Sequence, residues 1–285
     1  MKDVSNAMRA QILTAAVPYI KKYTDQYVVV KYGGNAMIDE ELKKSVMKDL
    51  LLLQLVGVKV VLVHGGGPAI NSTLEAMNIE SHFANGLRVT DEATMDVVQM
   101  VLAGKVNKGL VADLTDLGGK AIGLCGVDGN MIQVHKQNEE LGYVGSVDTI
   151  DTNIIHDVIS RGYIPVISSI GMGADGKTYN INADTVAAKI AGALKAETMV
   201  AMTNIDGVLK DVHDPESLIS KITMAEAEQL KVDGIIAGGM IPKVDCCLEA
   251  IEAGAQKVFI INGEIPHAIL IELLTDEGLG TMFVA

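Results

Sequence analysis

Apolar runs of strand length alternate along this chain with stretches of helical periodicity. The strand-like runs cover residues 27–31, 58–63, 120–124, 163–169, 197–203, 257–262 and 281–284. Helical stretches cover residues 39–56, 68–77, 151–161, 184–194 and 266–274. One further helix begins near Glu92, and another contains Cys246 and Cys247. Because the two kinds of element alternate, the pattern predicts an α/β fold with a mainly parallel sheet and right-handed crossovers.

A glycine-rich turn ends the strand at residues 58–63. The segment VKVVLVHGGGPAINSTLEAM passes through His64 and Gly65–Gly67 into a helix that carries Pro68 in its first turn. Glycines allow positive φ and present bare N–H groups, and the start of a helix favours negative charge. This segment therefore predicts an anion site, although a tight turn without a ligand is the alternative.

A second glycine turn follows the strand at residues 27–31. That strand ends at Lys31, just before Gly33 and Gly34. Parallel strands place both turns on one sheet edge, where open α/β sheets bind ligands, so we expect Lys31 to serve the same site. A solvated lysine at a strand end is the alternative. Neither turn has the GxxxxGK[ST] pattern or the spaced GxGxxG pattern, so this is a phosphate site of another design.

One arginine stands out between the second strand and the long helix. Asn85 and Gly86 predict a turn, Arg88 follows, and Thr90 or Asp91 can cap the helix. The planar guanidinium suits a carboxylate, so Arg88 is a candidate clamp for an acidic substrate. A surface salt bridge is the alternative for this residue. Residues 126–150 read as a β-hairpin that could cover the substrate.

The second half of the chain adds polar residues at the ends of predicted elements. Asn180 and Asn182 alternate on an extended piece and point the same way, and Asp184 begins an alanine-rich helix. A simple helix cap is the alternative for Asp184. Residues 203–211 form a polar turn after a buried strand, and Lys243 follows a glycine pair as a second candidate cation.

Composition narrows the class of function. The 285 residues are 49% hydrophobic and 21% charged, with a formal net charge of −13, which predicts a packed globular protein. No basic stripe could meet a nucleic acid, and no apolar run has membrane-spanning length, so we expect neither partner and place the protein in the cytoplasm. The three cysteines lack the spacing of a zinc site, and Cys125, Cys246 and Cys247 read as core residues.

An additional helix precedes the first strand. Residues 4–23 place Met8, Ile12, Ala15 and Ile20 on one approximate stripe, and Pro18 should kink or break the helix. Its apolar face must dock on its own domain or on another subunit, and composition does not choose between these.

Five motifs occur in a fixed order: KYGGNA, HGGGP, NGLRVTD, NINAD and GGMIPK. With these motifs the chain closely resembles the amino acid kinase family over residues 25–285. The resemblance implies a three-layer αβα sandwich around a mainly parallel, doubly wound sheet, with an extra N-terminal helix. It also implies an oligomerisation helix at 1–24, a lobe for the acyl acceptor at 25–175, and a lobe for ATP and arginine at 176–285.

The resemblance assigns roles to single residues. Lys31 and Lys243 would stabilise the transition state of phosphoryl transfer, and Asp184 would organise both lysines. The residues implied to bind the acceptor substrate are Gly66, Gly67, Arg88 and Asn180. Those implied to bind phosphate or ATP are Gly34, Asn182, Thr203, Asn204, Asp206, Gly207, Gly238 and Met240. Those implied to lie at an allosteric arginine site are His267, Glu277 and Gly280, for which an ordinary C-terminal helix and strand is the alternative.

The resemblance is strongest to family members that phosphorylate the side-chain carboxylate of N-acetyl-L-glutamate in arginine biosynthesis. It implies ATP as co-substrate, with Mg²⁺ carried on the nucleotide phosphates and no metal site on the protein. Arginine inhibition and a homohexamer, a trimer of dimers, are also implied. The alternatives are a related kinase for free glutamate, aspartate, carbamate or a nucleoside monophosphate, and a non-catalytic metabolite sensor.

Overall fold

A computed structural model describes residues 5–84 and 86–285 of the chain. Within these ranges the strands are β1 (Tyr27–Tyr32), β2 (Lys59–His64), β3 (Phe83–Ala84), β4 (Leu87–Arg88), β5 (Ala121–Cys125), β6 (Ile132–Lys136), β7 (Gly145–Ile150), β8 (Ile164–Ser168), β9 (Ile170–Gly173), β10 (Thr178–Asn180), β11 (Thr198–Thr203), β12 (Lys221–Thr223), β13 (Lys257–Asn262) and β14 (Thr281–Val284). Of the predicted turn at Asn85 and Gly86, Asn85 lies outside the described residues.

The α-helices of the same ranges are α1 (Asn6–Ala15), α2 (Val17–Tyr23), α3 (Glu40–Leu55), α4 (Gly67–Ala76), α5 (Glu92–Gln99), α6 (Asn107–Asp116), α7 (Asn153–Ser160), α8 (Ala183–Ala193), α9 (Met224–Val232), α10 (Ile241–Glu252) and α11 (Ala268–Leu274). Short 3₁₀ turns occur at Gly34–Met37, Asp128–Asn130, Pro215–Ser217 and Gly238–Met240. A π-helix, Met100–Val106, joins α5 to α6.

An eight-stranded sheet with the order β12-β14-β13-β11-β1-β2-β8-β5 forms the centre of the molecule. All neighbouring strands in it are parallel except β13 and β14, which are antiparallel. The α/β class and the mainly parallel sheet predicted from the alternating pattern are therefore confirmed. In this sheet β1 and β11 are central, so strands from the two halves of the chain meet in the middle.

Side chains of β1 alternate between the two faces of this sheet, as the period of a strand requires. Val28 and Val30 belong to the hydrophobic cluster that contains buried residues of α3, α6 and α11. Val29 belongs to the cluster that contains buried residues of α8 and α10. Helices therefore cover both faces of the sheet, and the three-layer αβα arrangement is confirmed.

A smaller sheet lies beside the main one. Strands β6 and β7 form the hairpin expected within residues 126–150. They join β9 and β10 in a four-stranded sheet with the order β10-β9-β6-β7. The pairing with β9 and β10 was not predicted, because it joins segments far apart in sequence and leaves no local pattern.

The long helix expected to begin near Glu92 is present, but its middle part is a π-helix. Asp91, one of the two predicted caps, accepts a hydrogen bond from the Thr94 N–H at 2.8 Å and starts α5. The chain then passes through the π-helix Met100–Val106 before α6. In the π-helix, Leu102 and Val106 pack against the glycine turn after β2. Helical periodicity in the sequence does not reveal this contact, so the π-helix was not predicted. Elements β12 and α9 were also not predicted.

The N-terminal helix is broken where proline was expected to break it. Helix α1 ends at Ala15, and α2 begins at Val17 with Pro18 in its first turn. Tyr19 of α2 donates a hydrogen bond to Asp276, which follows α11. Among the described residues, no helix has the length and apolar character that crossing a bilayer requires.

The close approach of α8 to the end of α10 depends on Gly192. A Cβ added there would lie 2.3 Å from the Cβ of Ala253, which is attached directly to the backbone and cannot move alone. By contrast, Gly109 of α6 has open space around it. This contact matters for the site because α8 and α10 begin near Asp184 and Lys243.

We expect the two glycines to respond oppositely to alanine. Gly192→Ala should lower the free energy of unfolding by about 1–3 kcal/mol through overpacking. Gly109→Ala should raise it by about 0.5–1 kcal/mol, because alanine loses less backbone entropy in a helix. Urea unfolding followed by circular dichroism measures both variants. Equal shifts in the same direction would contradict the packing role of Gly192.

Candidate functional site

The two glycine turns lie side by side at the carboxyl ends of β1 and β2. Lys31 pairs in register with Val63, and Tyr32 with His64, so both strands end at the same level of the sheet. This is the edge on which the sequence predicts that Lys31 and the glycine turn meet. Lys31 is 8% exposed, so its ammonium group is held largely out of bulk water.

Asp184 joins the two candidate lysines. Its Oδ1 lies 3.0 Å from Lys31 Nζ, and its Oδ2 lies 3.9 Å from Lys243 Nζ. Asp184 stands in the first turn of α8, where the helix dipole favours a carboxylate. The side chain of Asn182 caps this helix by accepting the Asp184 N–H at 2.8 Å. One carboxylate thus holds together a cation from β1 and a cation from α10.

A first cavity of about 300 Å³ opens beside Lys31. Its polar wall consists of the glycine turn, Arg88, Asn180 and Asp184. Asn180 donates from Nδ2 to Thr90 Oγ1 at 3.3 Å, which orients its amide. Of the residues predicted to bind phosphate or ATP, Gly34 and Asn182 also line this cavity.

Arg88 reaches the first cavity from β4. Its guanidinium donates to Asn71 Oδ1 at 2.5 Å and to Ser81 Oγ, and it lies 4.7 Å above the ring of Phe83. Burial lowers the pKa of Arg88, but an arginine stays charged at neutral pH. Both hydrogen-bond partners are neutral, so the guanidinium keeps its charge for an anion in the cavity. This geometry favours the clamp over the surface salt bridge.

None of the three glycines of the turn after β2 lies in the left-handed region of φ, so the positive φ expected for them is not the reason for glycine there. Gly66 has φ 177°, which is extended backbone that any residue adopts. The reason for glycine is packing, because a Cβ on Gly66 would lie 2.6 Å from Leu102 Cδ2. Gly34, with φ 71°, does occupy the left-handed region.

His64 lies directly beneath this turn and is fully buried. Its Nδ1 lies 2.8 Å from the carbonyl oxygen of Gly65, and its Nε2 lies 3.0 Å from Nδ2 of Asn107. Burial lowers the pKa of His64 to about 4. The imidazole is therefore neutral at physiological pH, and it is not a candidate acid or base in the cavity.

A second cavity of about 460 Å³ adjoins the first. The two share Asn182 and Asp184, so the ion triad stands where they meet. Residues of α8 and α10 form one side of the second cavity. Among its residues that the sequence analysis did not assign to the site are Gln137, Gly145, Ser146, Val147, Thr185, Lys189, Cys246 and Glu249. Helical spacing of three from Lys243 could have identified Cys246.

The predicted nucleotide residues of the turn after β11 lie outside the walls of both cavities. The Thr203 hydroxyl donates to the Ile205 carbonyl oxygen at 3.1 Å, and Asp206 accepts from Asn262 at 2.8 Å. A Cβ on Gly207 would lie 2.5 Å from Thr281 Oγ1, while Asn204 is exposed. Gly238 and Met240 belong to the 3₁₀ turn that leads into α10.

The three residues predicted to bind arginine have separate partners. His267 donates its N–H to Ser45 Oγ at 2.8 Å, and its Nδ1 lies 2.6 Å from Asp49 Oδ1. Burial raises the pKa of Asp49 to about 6. The Gly280 N–H donates to Glu272 Oε2 at 3.1 Å, and the carbonyl oxygen of Glu277 accepts from the Thr275 hydroxyl at 3.1 Å.

The profile of the Amino acid kinase family matches residues 26–262. The chain belongs to this family. An amino acid kinase transfers a phosphoryl group from ATP, and both lysines and the glycine turn are suited to hold such a group. Within the described ranges no cluster of three or more His, Cys, Asp or Glu could hold a metal ion.

Relatives of known name resemble this amino acid kinase over its full length. The acetylglutamate kinase of Brachyspira hyodysenteriae is 53% identical over 99% of both chains. That of Clostridium beijerinckii is 51% identical over 98% of this chain and 99% of its own. The solved structure of Neisseria gonorrhoeae N-acetylglutamate synthase, complexed with coenzyme A and N-acetyl-glutamate, superimposes with a TM-score of 0.84 and 26% identity. That match covers 97% of this chain but only 63% of the synthase.

The buried neutral state of His64 predicts how stability depends on pH. The folded-state pKa of about 4 lies below the ordinary value of 6.5, so this contribution is present above pH 6.5 and lost as the pH falls toward 4. Over that window we expect the native protein to lose on the order of 3 kcal/mol that His64→Asn does not lose. Urea unfolding of both proteins at several pH values measures the difference, and parallel curves would contradict it.

Proposed function

We propose that this kinase transfers the γ-phosphoryl group of ATP to the side-chain carboxylate of N-acetyl-L-glutamate. The products are N-acetyl-L-glutamyl 5-phosphate and ADP, and the reaction belongs to arginine biosynthesis in the cytoplasm. The observation that carries the proposal is the triad of Lys31, Asp184 and Lys243 at the junction of two cavities. The names of full-length relatives supply the acceptor.

The triad suits the charge problem of this reaction. A carboxylate and a triphosphate are both anions, and negative charge spreads over the transferred oxygens in the transition state. Lys31 and Lys243 are the cations that offset this charge, while Asp184 keeps them together before the substrates bind. No general base is required, because the acceptor carboxylate is already ionised.

The acceptor occupies the first cavity in this proposal. Arg88 pairs with a carboxylate of N-acetyl-L-glutamate, and Asn180 lies on the same wall for a polar group of the substrate. The N–H groups of Gly66 and Gly67 face the reacting phosphoryl group. A neighbour of known structure carries N-acetyl-glutamate in its complex, which supports this choice of ligand.

The nucleotide approaches from the side of the second cavity. The 3₁₀ turn at Gly238–Met240 and Lys243 lie beside its phosphates, and the turn at 203–211 carries the remaining predicted contacts. Mg²⁺ is bound by the phosphates of ATP and contributes charge neutralisation. This fits the site, because Asp184, the carboxylate at the junction, is already shared by two lysines.

We further propose that arginine inhibits the enzyme and that the subunits form a hexamer, a trimer of dimers, through α1. Helix α1 has no buried residue, and its side chains Ile12 and Leu13 are 59% and 72% exposed. Such an apolar surface needs a partner. The arginine site lies near His267, Glu277 and Gly280, and the hydrogen bond of Tyr19 to Asp276 connects α2 to that segment.

The reaction is tested by incubating the protein with Mg-ATP, each candidate acceptor and hydroxylamine, which traps an acyl phosphate as a hydroxamate. We expect ADP and hydroxamate with N-acetyl-L-glutamate. Lys31→Ala should lower kcat by about 100-fold or more, because a group that stabilises transition-state charge is lost. The exposed Lys44, which pairs only with Glu41 among the ion pairs of the described residues, provides the control variant Lys44→Ala.

The same assay separates the alternatives. Product with free glutamate, aspartate, carbamate or a nucleoside monophosphate, but not with N-acetyl-L-glutamate, would assign a related kinase. Absence of turnover with every acceptor, together with binding of arginine or nucleotide, would assign a sensor. A Lys31→Ala variant as active as Lys44→Ala would remove Lys31 from the mechanism.

Deletion of residues 1–24 tests the regulatory assembly. We expect the full chain to elute as a hexamer and the shortened chain as a dimer, because the apolar face of α1 is lost. Size-exclusion chromatography with light scattering measures the mass, and the hydroxamate assay with added arginine measures inhibition. A hexamer that persists after the deletion would overturn the role of α1, and activity unaffected by arginine in the full chain would overturn the inhibition.

A further inference from the structure

A buried polar network lies beneath the glycine turn, and the proposed reaction does not use it. His64 and Asn107 are 0% and 1% exposed, yet both form hydrogen bonds at the level of the turn. Nδ2 of Asn107 lies 2.8 Å from the carbonyl oxygen of Val166 and 3.3 Å from that of Leu124. Asn107 is thereby fixed to β8 and β5, two strands of the main sheet.

The partners determine where the protons lie. Carbonyl oxygens only accept, so the Asn107 atom that faces Val166 and Leu124 must be the amide nitrogen. That nitrogen donates to Nε2 of His64, and Nδ1 of His64 therefore carries the proton and donates to the Gly65 carbonyl oxygen. Asn107 therefore donates both to the sheet carbonyls and to His64, and His64 donates to the glycine turn.

The hydrogen bond from His64 orients the peptide between Gly65 and Gly66. In a trans peptide the C=O and the following N–H point in opposite directions. The Gly65 carbonyl points at the buried ring of His64, so the Gly66 N–H points away from it. Gly66 itself lines the first cavity, and an N–H that points away from the buried ring can face that cavity.

The π-helix restricts the same residue from a second side. Leu102 and Val106 lie so close to Gly66 that a Cβ there would come within 2.6 Å and 3.3 Å of their side chains. Asn107 follows the π-helix directly. One helical segment thus supplies both the apolar contact against Gly66 and the amide that holds His64.

We propose that His64 and Asn107 are positioning residues that hold the Gly65–Gly66 peptide with its N–H toward the transferred phosphoryl group. The inference rests on the proposed function, in which Gly66 faces that group. A donor fixed before the reaction stabilises developing charge without reorganisation, whereas a rotated peptide would turn a carbonyl oxygen toward the anion. The network therefore acts on the transition state more than on substrate binding.

Two substitutions of His64 distinguish the hydrogen bond donated by Nδ1 from the other properties of the imidazole ring. In asparagine the amide nitrogen is attached to Cγ, as Nδ1 is in histidine, so His64→Asn can still donate to Gly65. In glutamine that nitrogen lies one bond farther out, so His64→Gln cannot. Ser168, the buried neighbour of His64 in β8, provides the control variant Ser168→Ala at the same level of the sheet.

We expect His64→Gln to lower kcat by about 10-fold or more, and by no more than the roughly 100- to 1000-fold found for complete loss of one such donor. The Michaelis constants of ATP and N-acetyl-L-glutamate should change by less than about 3-fold, because the effect is confined to the transition state. His64→Asn should retain most of kcat, and Ser168→Ala all of it. Affinity for ADP with aluminium fluoride, a mimic of the transferred group, should fall with kcat while affinity for ADP alone is unchanged.

A second variant, at a residue outside the network, tests the proposal even if the His64 variants do not fold. A Cβ on Gly123 of β5 would lie 1.8 Å from Asn107 Oδ1, so Gly123→Ala displaces Asn107 and leaves His64 in the sequence. It should show the same loss of kcat with the same Michaelis constants. Equal kcat in His64→Asn and His64→Gln, or a loss seen only in the Michaelis constants, would overturn the proposal.

Failure of the positioning role must be distinguished from failure of the proposed site. The variants Lys31→Ala and Gly66→Ala, measured in parallel, make this distinction. If both of these variants keep the native kcat, the placement of the phosphoryl group is wrong. If both lose activity while His64→Gln and Gly123→Ala do not, only the positioning role is wrong.

Discussion

Two ammonium groups close together repel each other, and the site of this protein depends on the carboxylate that keeps them there. Asp184 lies within 3.0 Å of Lys31 and 3.9 Å of Lys243, and it comes from the start of a helix whose dipole favours its charge. Lys31 ends a strand of the first half of the chain, and Lys243 begins a helix of the second. The triad therefore connects the two halves of the chain at the site, and in the proposed reaction it holds the reacting groups.

Close packing accounts for the small residues around this triad. Helices α8 and α10 approach each other at Gly192, and the π-helix approaches the glycine turn at Gly66. In both places the glycine provides room, since neither residue lies in the left-handed region of φ. Close contacts at these two glycines therefore restrict the positions of α8, α10 and the glycine turn, because a tightly packed interior leaves little room for adjustment.

Features that depend only on residues close together in sequence could be predicted. The alternation of strands and helices predicted the central sheet. Pro18 predicted the break between α1 and α2, and Asp91 predicted the start of α5. Long-range packing could not be predicted, because the pairing of β9 with β6, the packing of the π-helix against Gly66 and the partners of His64 depend on residues far apart in sequence. The site shows the same division, since Lys31 and the glycine turn were found from local motifs, whereas Ser146 and Lys189 required the fold.

The whole chain and its site have opposite charge. The formal net charge is −13, yet the first cavity and its junction gather Lys31, Lys243 and Arg88 against Asp184, which leaves an excess of two positive charges. At physiological ionic strength, exposed charges farther away than about 8 Å are largely screened. The binding of anionic substrates therefore depends mainly on the partly buried cations near them. The distant acidic surface contributes little to it. A neutral His64 fits this arrangement, because the Gly66 N–H can be aimed at an anion without placing another buried charge beneath the turn.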